Sequence, residues 1–193
     1  VGRGFPPIRP TLLSLNATFF TALAVYIYND VVDLPADQEN TYKNDRPLAS
    51  GKVTKTTAMN VIYISSTIGL TTSLLTNIWS FLFNALYYIV FTLYSYPKVH
   101  LKKRFLVKET VISTGMIMIA MSVNYAILGK FSPMLFSGYA LFAVFAFCAM
   151  PTGFDSTDVT ADKIQGVNSI ATHTSYKQRI QLAMAGVLLI MTL

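Results

Sequence analysis

Asn29-Asp30-Val31-Val32-Asp33-Leu34-Pro35-Ala36-Asp37 follows directly on a long apolar run, and its partner Asp155-Ser156-Thr157-Asp158-Val159-Thr160-Ala161-Asp162 follows on another. Carboxylates at the end of an apolar run are costly unless they face water, a cation or a metal. The chain has only nine acidic residues, and six of them stand in these two stretches. It is 53% hydrophobic and 12% charged, against about 25% charged in ordinary soluble domains. That deficit predicts an all-helical, polytopic transmembrane bundle. The two acidic clusters are its functional signature.

A spanning helix needs about 20 mainly apolar residues. Thr11–Tyr28, Thr56–Thr76, Ile78–Tyr94, Thr110–Leu128 and Ser132–Met150 meet or approach that length. A sixth run, Ile180–Leu193, would cover only about 21 Å at the α-helical rise. The chain also opens on Val1. Both features predict a single membrane domain, residues 1–193, cut from a longer protein at both ends. Its connections alternate in kind. Asn29–Lys55, Ser95–Glu109 and Pro151–Arg179 are long and charged, while Asn77 and Gly129–Phe131 are short. The long connections hold 12 of the 15 basic residues and all nine acidic ones. The positive-inside rule then places the charged loops in the cytoplasm. Membrane orientation accounts for the net charge of +6, and no nucleic-acid partner is implied.

Within the first cluster, Asn29, Asp33 and Asp37 are four apart and share a helical face, with Pro35 expected to bend it. Asp155, Asp158 and Asp162 share a face in the second, which Gly166 continues. Carboxylates this close repel one another unless a cation neutralises them, and magnesium suits them as a hard ion that takes oxygen ligands and substrate phosphates. Two such clusters facing each other would hold a diphosphate through Mg2+. Arg46 and Lys98 adjoin proline turns and are candidate diphosphate partners; Lys103 and Arg104 read as topology signals. Tyr26, Tyr28, Tyr87, Tyr88, Tyr94 and Tyr96 could line a prenyl cavity, although tyrosine belts at membrane interfaces are common. Asn16, Asn60, Asn84 and Asn124 are expected to hydrogen-bond to neighbouring helices, and Gly69, Gly115 and Gly138 to sit at close helix contacts. His100 and His173 lack metal-ligand spacing. The single Cys148 excludes an internal disulfide.

These motifs resemble the UbiA-type intramembrane prenyltransferases. Their NDxxDxxxD signature is matched at Asn29–Asp37, and an RPLxxG segment at Arg46–Gly51. A YSxP…LK loop is matched from Tyr94 to Lys102, and a DxxDxxxD signature at Asp155–Asp162. Val107-Lys108-Glu109 departs from a Gly-Asn pair that many relatives carry there. The resemblance implies nine spans around a central cavity, of which about six lie in this chain. It implies Mg2+-dependent transfer of a prenyl group from a polyprenyl diphosphate to a lipophilic acceptor. Asn29, Asp33, Asp37, Asp155, Asp158 and Asp162 would be the metal residues. Asp33, Asp158 and Asp162 would act in catalysis, and Arg46, Lys98 and Lys102 would contact the diphosphate.

The acceptor pattern looks nearest to archaeal lipid (geranylgeranylglyceryl phosphate) or carotenoid members. An aromatic-acid or quinone-precursor acceptor is the alternative, as is a non-catalytic relative with a structural role. A transporter would need ionisable residues deep in the spans, and a soluble terpene synthase would not have helices this apolar.

Overall fold

A computed structural model describes residues 4–153, 155, 159–164 and 166–192. Among the described residues every regular element is a helix. Four long helices, α1 (Ile8–Glu39), α2 (Lys55–Thr76), α3 (Ile78–Ser95) and α4 (Val107–Leu128), are long and apolar enough to cross a membrane. They are followed by α5 (Met134–Val144), the short α6 (Val159–Ile164) and α7 (Ile170–His173), and α8 (Tyr176–Thr192). A π turn over Phe145–Ala149 prolongs α5, closing with a Met150 N–H to Phe145 carbonyl bond of 3.1 Å. The expected fifth span is thus helical but shorter, over Met134–Ala149, and the sixth run falls within a helix that starts earlier, at Tyr176.

The packing follows the logic of a lipid solvent. Between helices the chain buries small and polar side chains: Ser14, Ala17, Thr21 and Ala24 on α1, and Ser65, Ser66, Gly69 and Ser73 on α2. Large apolar side chains such as Leu12, Leu15, Phe19, Leu75, Leu82 and Leu86 face outward. Lipid tails are as apolar as leucine, so close backbone approach and interhelical hydrogen bonds drive the association instead. Gly69 shows the close approach. A Cβ there would stand 2.3 Å from Thr21 Oγ1 and 2.8 Å from the Thr21 nitrogen. Asn84, fully buried on α3, donates to Thr21 Oγ1 at 2.8 Å. Ser80 and Ser122 each donate to the other's carbonyl, at 2.7 and 2.9 Å, which ties α3 to α4. At this end of the pair, the Trp79 ring lies against Tyr125, and Tyr125 against Phe131.

Three local readings are corrected by the structure. The Asn29–Lys55 connection is not wholly a loop, because α1 runs through Pro35 to Glu39. Proline costs that helix the bond to the Val31 carbonyl but does not end it. Likewise α4 begins at Val107, so Lys108 and Glu109 sit in its first turn rather than in a loop. Gly138 has open space where a Cβ would go, and Asn16 and Asn60 are exposed, so none of the three is at a close helix contact.

Candidate active site at the mouth of the helix bundle

Because α1 stays helical through the first acidic cluster, Asn29, Asp33 and Asp37 project from one face, as their spacing of four predicts. Asn29 Nδ2 donates to Asp33 Oδ2 at 3.0 Å, and Asn29 Oδ1 accepts from Ser95 Oγ at 2.7 Å. That second bond fixes the end of α3 to the motif. Lys102 completes the group. Its ammonium makes a short ion pair with Asp33 and lies 3.5 Å from Asn29 Oδ1. Lys102 is aimed by a 3-10 turn over Leu101–Lys103, bracketed by His100 and Leu106 at φ 46° and 61°. Left-handed backbone costs a non-glycine residue roughly 1–2 kcal/mol, so the tertiary contacts of this loop over-determine its shape. The His100 imidazole is held below its usual pKa, first by burial and then by Lys102 and Lys103.

Arg46 reaches back from the turn after α1 to clasp the same helix. Its Nη1 lies 2.9 Å from Asp30 Oδ1 and 3.0 Å from Asp37 Oδ2. Asp37 is almost fully buried, so the guanidinium supplies a charged hydrogen bond to a carboxylate with little water. Arg46 thus pairs with the first cluster and is not among the residues that line the cavity described below. Lys98 is exposed on the loop and does not line the cavity described below.

The second cluster lies opposite. Lys108 Nζ is 2.8 Å from Asp155 Oδ1 and 4.0 Å from Asp162 Oδ2. Behind Asp162, the Val167 N–H bonds to the Asp162 carbonyl at 2.8 Å and the Gly166 N–H to the Lys163 carbonyl at 3.2 Å. With Gly166 at φ 70°, this is a Schellman stop. Gly166 thus ends α6 rather than extending the acidic face. Asp158 lies outside the described residues. Glu109, in the first turn of α4, is 2% exposed and accepts from the Ile170 N–H at 3.1 Å. With the Asn168 N–H to Lys103 carbonyl bond of 3.1 Å, it ties the segment after the second cluster to the basic loop.

The clusters converge on one cavity of about 470 Å3. Its mouth carries Asn29, Asp33, Asp37, Lys43, Lys102, Lys108 and Asp162. Its depth is lined by Tyr26, Tyr87, Phe91, Ile112, Met116, Phe142, Phe145 and Met150. Tyr87, Phe91 and Tyr94 recur at i, i+4 and i+7 and give α3 an aromatic face toward the cavity. The π turn brings Phe145 to the same wall, in keeping with the frequency of such turns at functional sites. Of the six tyrosines singled out by sequence, Tyr26, Tyr87 and Tyr94 line the cavity, and Tyr28, Tyr88 and Tyr96 do not. Sequence reasoning passed over Lys108. Its signal was available as a charge that, with Glu109, stands in the first turn of a helix apolar beyond it. Among the described residues, no three acidic, histidine or cysteine side chains stand close enough to hold a metal by themselves.

The sequence model of the UbiA prenyltransferase family matches residues 1–193, the whole chain. The chain belongs to the UbiA prenyltransferase family. A digeranylgeranylglyceryl phosphate synthase of Sulfurisphaera tokodaii is 34% identical over 107 residues, covering 55% of this chain and 36% of that protein. The structure of a UbiA homologue from Archaeoglobus fulgidus bound to GPP and Mg2+ superposes with a TM-score of 0.79 at 16% identity, over 96% of this chain and 64% of that one. The apo structure of a UbiA homologue from Aeropyrum pernix K1 superposes with a TM-score of 0.69 at 20% identity, over 97% and 69%. At these identities the structural likeness is one of fold. The chain spans about a third of the length of the curated relative and about two thirds of the first solved one. Family membership and the four apolar helices make this UbiA protein an integral membrane protein.

Proposed function

We propose that the protein transfers a prenyl group from a polyprenyl diphosphate to a lipophilic acceptor and releases diphosphate. The observation that carries this reading is the shape of the cavity, with acids and lysines at its mouth and aromatic and aliphatic side chains in its depth. A diphosphate headgroup matches the first part and an isoprenoid chain the second.

The donor set fits magnesium. Asn29, Asp33, Asp155 and Asp162 offer only hard oxygens, and one or two carboxylates with water and substrate phosphates are its usual shell. Magnesium bound there would offset the charge that grows on the leaving diphosphate. Lys102 and Lys108 add positive charge on either side of the same headgroup. Asn29 holds Asp33 in place, Ser95 orients Asn29, and Arg46 steadies Asp37 and would meet the diphosphate with its remaining N–H groups. Asp158, outside the described residues, would join the second cluster, and Lys98 would meet the headgroup from the loop. Tyr87, Phe91 and Phe145 would exclude water from the allylic carbon and present aromatic faces to its developing positive charge.

For the acceptor we favour geranylgeranylglyceryl phosphate. The support is the likeness to the Sulfurisphaera tokodaii synthase, and Lys43 at the cavity mouth offers a cation to a phosphate-bearing acceptor. The charged loops would face the cytoplasm, on the strength of their basic residues.

The test uses the full-length protein with Mg2+, labelled geranylgeranyl diphosphate, and a panel of lipid, carotenoid and aromatic acceptors. Asp33→Ala and Asp162→Ala are expected to slow transfer by at least about 100-fold. EDTA is expected to abolish it. Turnover that survives EDTA or both substitutions would rule the reading out. Label on an aromatic acceptor alone would reassign the acceptor.

A further inference from the structure

The second acidic cluster already contains a cation, and that cation belongs to the chain. Lys108 is anchored in the first turn of α4, and its side chain is only 12% exposed. The carboxylates it serves, Asp155 and Asp162, are 10% and 19% exposed. At 2.8 Å from Asp155 Oδ1, the ammonium occupies the space that a metal on that oxygen would need. Poor access to water leaves the repulsion between an ammonium and a divalent ion weakly screened. A metal on Asp155 Oδ1 therefore requires Lys108 to move, and a metal on Oδ2 would still face the ammonium's charge. Lys108 can move, because its charge rides on a flexible four-carbon stem, and it lines the cavity. The other carboxylates described at the cavity mouth, Asp33 and Asp37, are already paired with Lys102 and Arg46. A diphosphate would be a further anion for Lys108 to move to.

We propose that Lys108 competes with Mg2+ for the second acidic cluster and passes to the diphosphate when the headgroup enters. Metal and diphosphate then bind as a coupled pair. The inference rests on the prenyl-diphosphate reading above and adds an order to it: alone, the metal meets an occupied site. By linkage, each ligand raises the other's affinity by the same factor.

The experiment titrates the purified full-length protein with Mn2+, a spin-active substitute for Mg2+, followed by paramagnetic resonance with and without inorganic pyrophosphate. In the parent, Mn2+ alone should bind weakly and pyrophosphate should tighten it. In Lys108→Gln, Mn2+ alone should bind about tenfold more tightly, within the usual range of coupling effects, and the response to pyrophosphate should shrink. Lys108→Arg, which keeps the charge, should behave as the parent. Lys108→Met keeps the apolar stem and serves if the glutamine variant does not fold. If Lys108→Gln binds Mn2+ alone no more tightly than the parent while pyrophosphate still helps both, the competition is refuted and the prenyl-diphosphate reading stands. If the parent binds no Mn2+ even with pyrophosphate, both fall together.

Discussion

Arg46 illustrates how one side chain at this site supports others. Its guanidinium joins Asp30 and Asp37, which lie about two turns apart on α1, and so braces the helix just where Pro35 removes a backbone bond. In Arg46→Ala, the nearly buried Asp37 carboxylate loses this partner. The guanidinium is 38% exposed, and solvent screening holds the expected cost to about 1 kcal/mol. Thermal unfolding in detergent should register that loss, with Arg46→Lys recovering part of it. Transfer should fall further than stability does, because Asp37 also lines the cavity mouth. The spacing of Asn29, Asp33 and Asp37 made their common face legible in the sequence. The ion pairs of Arg46 to Asp30 and Asp37 were not legible. An RPL turn next to an acidic motif suits a substrate contact as well as a brace, and both ion pairs use Nη1 alone, which leaves the two roles compatible.

At the scale of elements, the α3–α4 contact decides the width of the cavity. A Cβ on Gly115 would lie 2.0 Å from Phe91 Cε2, so the glycine makes room for the ring that lines the cavity. Gly115→Ala is expected to force Phe91 from its position at about 1–3 kcal/mol, the usual cost of overpacking. A lower melting temperature together with weaker use of long prenyl diphosphates than of short ones would verify this. Unchanged chain-length preference would contradict it. Gly69 and Gly115 were readable as close-contact glycines, and Gly138 looked the same in sequence but faces open space. A glycine in an apolar helix signals that close approach is permitted. Which neighbour arrives depends on helix order and rotation, which no local pattern carries. Element ends were the least legible feature. The helical stretch through Pro35 and the early start of α4 both depend on partners from distant segments, such as Ser95 for Asn29 and Ile170 for Glu109.

For the molecule as a whole, composition and hydropathy sufficed to establish the helical membrane class, because a lipid solvent leaves little choice of backbone structure. The alternation of charged and uncharged connections implies one functional face. Single cysteines at Lys103 and at Lys130, in a Cys148→Ala background, provide the check. In intact cells an impermeant maleimide should label the Lys130 position and spare the Lys103 position until the membrane is opened. Labelling in the reverse order would invert the assigned orientation.

The chain's one tryptophan also has a practical meaning. Trp79 stands one residue into α3, whereas Tyr94 and Ser95 close that helix at the ionic mouth. At the helical rise those ends are about 22 Å apart. Emission from Trp79 therefore reports from a place remote from the ionic mouth and serves as a built-in reference signal. Titrations followed optically look instead to the tyrosine band, because Tyr26, Tyr87 and Tyr94 line the cavity.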